Sequence, residues 1–442
     1  MRNRPRITRA HGVCLEVNPL YIVSVGVFSV ILVWTLYNIP ILVAGVKNLR
    51  LSSGKKEKFS TLSIDRLPTV SIIVPVKDEE KVVGRLLDAL LKLDYPQDKR
   101  EIVIVEDGSV DKTVELCKEY VRRHPSQVRL FSQQTSNGKP SALNYALEQV
   151  NGEIVAVFDA DSVPRSDALL KAVEHFEDPS VAAVQGRACS INADVNMLTK
   201  FISYEETVRY ETYMRGKDAL NLFVPLTGSC YFVRRRALLE VDGWNGASLS
   251  EDMEIALKLT EKGHCIRYAP EIRCWQEYPV KLAQLIKQRI RWFRGTMEIA
   301  LKYGKLATKP NRKNIDAEMT LIGPYMFILC LMSYFMLLPI FLVPVQQNFV
   351  FVNANFIIFS ITTVPLFLVG VALIYVTKPR KAANLFWLPF IYAYWILQNV
   401  LAFYALLQIV FRRPKKWTRT VKNGIACSRY SKEMPQSSRA QT

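Results

Sequence analysis

From Pro19 to Val46 the chain runs for 28 residues without a charged side chain, longer than the roughly 20 residues that cross the hydrocarbon core of a bilayer. Any fold for this chain must therefore include a membrane helix. The basic leader (Arg2, Arg4, Arg6, Arg9) resembles the start of a signal peptide. The apolar run is too long for one, however, and no small-residue cleavage site follows, so it reads as a retained span. Three more apolar runs come late, at Met319–Val345, Val352–Val376 and Leu385–Phe411. Half of the 442 residues are hydrophobic, but they gather at the two ends. The expectation is a multi-pass membrane protein with one large aqueous domain inserted between its spans.

The formal net charge of +18 would suit a nucleic-acid partner, yet the basic residues sit beside the apolar runs: Lys55, Lys56 and Lys58; Lys378, Arg380 and Lys381; Arg412, Arg413, Lys415 and Lys416. Attraction to anionic lipid headgroups accounts for that placement, and no nucleic acid is expected. The eight cysteines are scattered, with no C-x-x-C pair and no histidine at metal-ligand spacing. They read as reduced thiols of a cytosol-facing domain.

Within the aqueous domain, β-forming runs alternate with helical periodicity. Val70–Val74, Ile102–Val105, Val128–Phe131 and Ile154–Phe158 read as strands. Val82–Leu93, Val110–Arg123 and the stretch opening at Asn137-Gly138-Lys139-Pro140 read as helices. This order predicts a mostly parallel α/β sheet covered on both faces. The second half is less regular, with strands at Val181–Gln185 and Tyr231–Val233, an aromatic-lined helix over Phe201–Met214 and a helix opening at Ser250. Lys281–Tyr303 carries an apolar stripe with Lys287, Arg291 and Arg294 largely off it, the pattern of a helix lying in the membrane interface.

Four short polar signatures punctuate this domain: Glu106-Asp107-Gly108-Ser109, Asp159-Ala160-Asp161, Ser250-Glu251-Asp252 and Gln288-Arg289-Ile290-Arg291-Trp292. The first two follow strands, where parallel sheets collect ligands. Asp159 and Asp161 can direct oxygens at one hard cation, Mg2+ or Mn2+, which would neutralise a diphosphate. Alone, the pair reads more often as a solvated turn with a helix-capping Asp. Asp107 at a strand end upstream adds an acceptor for a nucleotide base, and together they point to a nucleotide site. Asp252 is also explained by the helix dipole, Gly228 by an ordinary turn, and Lys281–Tyr303 by membrane anchoring. Against that last reading, Gln288, Arg291 and Trp292 offer an amide, a phosphate-clamping guanidinium and a ring that stacks on sugar.

Taken together, Val70–Gly295 and the flanking spans resemble the processive family-2 glycosyltransferases of the GT-A fold, the group containing bacterial cellulose, chitin, hyaluronan and poly-N-acetylglucosamine synthases. Q-x-x-R-W downstream of E-D is the most specific element. The resemblance implies that Glu79 and Asp107 contact the nucleoside, that Asp159 and Asp161 hold the metal and diphosphate, and that Lys139 touches a phosphate. It makes Asp252 the general base and borders the acceptor with Thr227, Gly228 and Ser229. Glu251 and Arg289 fall among the substrate-binding positions, while Gln288, Arg291 and Trp292 hold the diphosphate and the terminal sugar. The implied partners are a UDP- or GDP-linked sugar, a polysaccharide or lipid-linked acceptor, the bilayer, and an export partner or second copy. The serine of Ser250-Glu251-Asp252 stands where cellulose synthases have threonine, and four spans are fewer than those synthases use.

The expected organisation is a basic tail (1–18), a span (19–46), a linker (47–69), the GT-A domain (70–280), interfacial helices (281–318), about three spans (319–411) and a basic tail (412–442). The expected activity is inverting transfer onto a growing β-linked polysaccharide at the plasma membrane, with the catalytic domain cytosolic. A single-addition enzyme making a lipid-linked sugar, and a non-catalytic scaffold binding nucleotide or polymer, are the alternatives. Orientation poses a conflict: three late spans after an inward domain would leave Arg412–Lys422 outside, against the positive-inside tendency.

Overall fold

The computed structural model describes residues 19–52, 63–133, 136–304, 311–342, 360, 386, 388–415 and 419–425. The third apolar run, Val352–Val376, lies outside the described residues apart from Ser360, as do the basic clusters at Lys55–Lys58 and Lys378–Lys381.

In chain order the helices are α1 (Pro19–Ser52), α2 (Val83–Leu91), α3 (Thr113–Arg123), α4 (Lys139–Gln149), α5 (Ala168–Glu174), α6 (Met197–Val208), α7 (Arg215–Ala219), α8 (Arg235–Glu240), α9 (Glu251–Glu261), α10 (Leu282–Tyr303), α11 (Arg312–Leu342) and α12 (Leu388–Val410). A π-helical turn, Arg209–Met214, joins α6 to α7. The strands are β1 (Val70–Val76), β2 (Arg100–Glu106), β3 (Val128–Ser132), β4 (Ile154–Val157), β5 (Val163–Pro164), β6 (Val181–Ser190), β7 (Tyr231–Arg234) and β8 (Cys265–Gln276).

The strands form a single sheet in the order β3-β2-β1-β4-β7-β6-β8-β5. β1 to β4 are parallel, and β1, β2 and β4 carry the buried apolar runs usual in parallel sheets. Beyond them β7 pairs antiparallel with both β4 and β6, so the second half of the sheet is mixed. Alternate residues of β1 and β2 face opposite cores. Ile72, Val74, Ile102 and Ile104 pack on one side with Leu86, Leu87 and Leu90 of α2. Ile73, Val103 and Val105 pack on the other with Leu143 of α4 and Ile255 and Leu259 of α9. Because β1 lies between β2 and β4, the chain reverses direction across the sheet at the β1–β4 boundary, where open α/β sheets bind ligands beyond their strand ends.

Among the described residues, three helices are long and apolar enough to cross a membrane: Ile22–Ser52, Arg312–Met336 and Pro389–Val410. Helix α1 lies so close on the π turn that a Cβ at Gly45 would collide with the carbonyl oxygen of Thr212. Helix α10 packs between the sheet domain and α11 and α12, and this alters the stripe read from its sequence. Arg294 is buried, donating to the carbonyls of Arg413 and Pro414, whereas Leu282 and Leu301 are exposed.

The described residues beyond α12 lie against α10 and the sheet domain. Helix α11 starts beside the sheet domain, where Asp316 pairs with Lys217. The chain then returns through α12 to Arg294, and Lys422 reaches Asp161. Arg413, Lys415, Arg419 and Lys422 therefore stand beside α10 and the sheet domain, not on the opposite face that three late spans would imply.

Candidate active site

The carboxyl ends of β1, β2 and β4 place Glu79, Asp107 and Asp159–Asp161 at one edge of the sheet. They border a cavity of about 1060 Å³ together with Lys139, Thr227, Gly228, Glu251, Asp252, Gln288, Arg289, Arg291 and Trp292. The same cavity continues between α1, α11 and α12. All four sequence signatures thus meet in one space, although they are spread over nearly 200 residues of chain.

Asp107 is buried, and its carboxylate accepts from the Ser136 hydroxyl (3.0 Å) and from the backbone N–H groups of Asn137 (2.9 Å) and Gly138 (3.0 Å). It organises the turn that leads into α4, whose first residue is Lys139. The Lys139 ammonium contacts Asp159 Oδ1 (2.7 Å), the Gly228 carbonyl (2.7 Å) and Glu251 Oε1 (3.2 Å). Burial works against its charge, but Asp159 and Glu251 outweigh burial and push its pKa above the ordinary lysine value. Lys139 therefore ties the β4 end to the start of α9.

Ser229 fixes the turn after β4: its hydroxyl accepts from the Asp159 N–H (3.0 Å) and pairs with Ser162 (2.7 Å). Thr227 is held by Tyr210 through its hydroxyl (2.8 Å) and by Gln185 through its N–H (2.8 Å). Gly228 between them has φ +81°, and a Cβ there would lie 3.3 Å from Asp252 Oδ2 and 3.6 Å from Lys139 Nζ. Glycine is the residue that tolerates this backbone and leaves the carboxylate its space.

Asp252 sits in the first turn of α9. Burial, reinforced by neighbouring Glu251, raises its pKa to about 7, which suits a carboxylate that must take up a proton near neutrality. Glu79 is likewise raised, to about 8, by burial and by Asp161. Its Oε2 is buried without a hydrogen-bond partner among the described residues.

On α10 the last signature divides. Arg291 donates to the Leu249 carbonyl (3.3 Å), just before α9, and Trp292 lines the cavity. Gln288 donates to Thr420 (3.2 Å). Arg289 is committed elsewhere, in an ion pair with Glu205 (2.7 Å) and a bond to Tyr394 (3.3 Å) of α12, with its guanidinium 4.7 Å from the Trp292 ring centre. It braces α10 against α6 and α12.

Residues 419–425 form a wall of the site that the sequence does not disclose. Arg419 bonds the Asp78 carbonyl, and Lys422 Nζ lies 2.6 Å from Asp161 Oδ2 and 2.8 Å from the Glu277 carbonyl. The Glu277 carboxylate accepts from the N–H groups of Asn423 (2.7 Å) and Gly424 (3.0 Å). Glu277 follows β8, a strand that the periodicity does not reveal, and Lys422 sits in a tail whose composition suggests lipid contact.

The donor set suits a hard divalent cation. Asp159 and Asp161 each already hold an ammonium, and Glu79 offers an orphan oxygen beside them. No group of three His, Cys, Asp or Glu side chains forms a closed metal cage among the described residues.

A family model described as "Glycosyltransferase like family 2" matches residues 68–295, just over half of the chain. The chain is 29% identical over 301 residues to the probable glycosyltransferase YdaM of Bacillus subtilis, covering 67% of this chain and 71% of that one. It is 36% identical over 269 residues to the beta-monoglucosyldiacylglycerol synthase of Nostoc sp., covering 59% of this chain and 56% of that one. It is 28% identical over 261 residues to the poly-beta-1,6-N-acetyl-D-glucosamine synthase of Staphylococcus aureus, covering 58% and 60%. The chain thus spans little more than half the length of these two synthases. Among solved structures, a mannosyltransferase of Pyrobaculum calidifontis in complex with GDP-Man and Mn2+ shares the fold, with a TM-score of 0.56 at 20% identity over 89% of this chain and 100% of that one.

Proposed function

This chain belongs to glycosyltransferase-like family 2, and from that premise we propose that it is a membrane-bound inverting enzyme that lengthens a β-linked polysaccharide from a UDP- or GDP-linked sugar. One observation carries the reading: the nucleotide edge of the sheet, Asp252 and the space between the membrane-type helices belong to a single cavity.

In the proposed reaction the acceptor's hydroxyl oxygen bonds to the anomeric carbon from the face opposite the leaving group. The carbon–oxygen bond to the nucleoside diphosphate breaks, and its electron pair leaves with the diphosphate. Asp252 takes the hydroxyl proton, which no free sugar hydroxyl surrenders at neutral pH. Lys139 holds Glu251 and Asp159 in register on either side, and Gly228 leaves room for the incoming oxygen. Arg291 and Gln288 face the diphosphate, and Trp292 stacks on the terminal sugar. Asp159 and Asp161 would hold a divalent cation, which when bound would stabilise charge on the departing diphosphate. The sheet domain faces the cytosol, where nucleotide sugars are made, and the plasma membrane carries the helices.

A second reading has an observation behind it. The similarity to beta-monoglucosyldiacylglycerol synthases, together with the apolar helices around the inner cavity, supports transfer of one sugar to a lipid. Membranes incubated with a panel of labelled nucleotide sugars, with and without Mn2+, separate the two. A ladder of products that depends on the cation is expected; a single lipid-soluble band establishes the second reading instead.

A further inference from the structure

A cluster of charged side chains stands apart from the cavity, where the last turns of α1 meet the sheet domain. None of Arg187, Glu211, Arg215, Tyr268 and Arg273 lines the cavity. The π turn, a form that recurs at functional sites, sets Glu211 between two guanidiniums: Arg187 of β6 pairs with its Oε1, and Arg215 of α7 donates from Nε to Oε2 (2.7 Å). A third guanidinium comes from β8. Where the register passes from Gly186–Ala269 to Arg187–Arg273, the irregularity sets Arg273 beside Arg187 on the same face of the sheet. Tyr268 shares that face, because its partner Gln185 stands two residues before Arg187. Burial works to raise the Glu211 pKa, but Arg187, Arg215 and Arg273 outweigh burial and hold the carboxyl below the ordinary glutamate value. The cluster thus has one carboxylate for three guanidiniums.

Two of its members lack a hydrogen-bond partner among the described residues. The Nε of Arg273 is buried without one, and so is the hydroxyl of Tyr268, a residue at 2% exposure. Burial lifts the Tyr268 pKa well above the ordinary tyrosine value, so the O–H keeps its proton. Two such buried donors side by side are unfavourable unless one group accepts from both.

We infer that Arg187, Arg215, Arg273 and Tyr268 form a binding site for a phosphate group at the cytosolic end of α1. The chemistry selects the occupant. Arg273 Nε can only donate, and surplus guanidinium favours an acceptor that carries negative charge; phosphate oxygens meet both demands and match the planar fork of arginine. Position names the source. Arg215 also donates from Nη1 to Asn48 Oδ1 (3.3 Å) and to the Ser52 hydroxyl (3.2 Å), in the last turns of α1, where Lys47, Arg50 and Leu51 are exposed. The end of a span-length helix is the level of the headgroups, so the phosphate is that of an anionic phospholipid. The site also stands one ring behind the Thr227 turn: Tyr268 stacks on Tyr210 (6.1 Å between ring centres), whose hydroxyl pairs with Thr227 (2.8 Å).

The test follows thermal unfolding of the full chain in a neutral detergent, with phosphatidylglycerol, phosphatidylcholine or inorganic phosphate added in turn. Phosphatidylglycerol should raise the unfolding temperature saturably, whereas phosphatidylcholine, whose headgroup carries its own cation, should leave it in place. Arg273→Gln and Tyr268→Phe leave the Glu211 ion pairs standing. Each should raise the concentration of phosphatidylglycerol at half-effect by about tenfold, the effect of one lost hydrogen bond to a charged group. An equal shift from inorganic phosphate at the same concentration, lost in the same two variants, keeps the phosphate site and makes its occupant a soluble phosphate. No shift with either anion overturns the site, as do half-effect concentrations that match the wild type in both variants. A lowered unfolding temperature of both variants before any addition also overturns it, because the two groups would then be structural.

Discussion

Lys217–Asp316 and Lys422–Asp161 are both lysine–aspartate pairs at 2.6 Å, yet their surroundings put them to different uses. The first is sealed. Both side chains are fully buried, and Asp316 also accepts from Tyr37 of α1 (2.6 Å) and the Phe223 N–H (2.9 Å), while Lys217 donates to Thr320 of α11 (2.7 Å). One ion pair thus locks two membrane-type helices to the sheet domain. The second stands at the cavity. Asp161 comes from the sheet edge, and Lys422 from a segment held by polar contacts at Asp78, Gln288 and Glu277. A charge pair with every other valence satisfied fixes architecture; one on a peripheral segment leaves a carboxylate that a cation can share.

The largest effect is expected from breaking the sealed pair. Asp316→Ala strands a buried ammonium and should cost about 3–5 kcal/mol, read as a lowered unfolding temperature in detergent. The double variant Lys217→Met, Asp316→Leu should recover much of that loss. A wild-type melting curve for Asp316→Ala would show that the pair does not hold the helices.

A smaller, graded effect concerns pH. With the Asp252 pKa raised to about 7 by burial and Glu251, the carboxyl is protonated and unable to accept a proton in acid. The transfer rate should fall about tenfold per pH unit below roughly 7 and level off above it. A profile that stays flat to pH 5 would remove Asp252 from the role of base.

The smallest effect belongs to the exchangeable pair. Lys422→Met removes a cation that competes for Asp161, so Mn2+ affinity, measured by electron paramagnetic resonance titration, should tighten by about two- to fivefold. Weaker binding would mean that the lysine supports the ion instead of standing in for it.

These contrasts also show how far the sequence carries. β1, β2 and β4 are built on short apolar, mostly β-branched runs (Ile72–Val74, Ile102–Val105 and Ile154–Val157), so both the strands and the carboxylates at their ends are legible in the residue pattern alone. β8 is not, because Pro270 interrupts it. The register passes from Gly186–Ala269 directly to Arg187–Arg273, and the proline falls in the irregularity between, where a strand tolerates it. On α10, Arg289 and Arg291 are chemically equivalent in sequence. Both line the cavity, and only the packing of α6 and α12 ties Arg289 to Glu205 while Arg291 reaches the Leu249 carbonyl. Lys422 is hidden for a related reason: a basic residue after an apolar run satisfies the pattern for lipid contact, and the carboxylate it meets lies 261 positions earlier in the chain.

The account turns on Asp252 acting chemically, with the donor held by other groups. The most direct measurement compares donor affinity and sugar transfer for Asp252→Asn with those of the wild type. Transfer should drop by about a hundredfold or more, with the dissociation constant of the nucleotide sugar nearly unchanged. Transfer that survives, or donor binding that disappears along with it, would contradict the assignment.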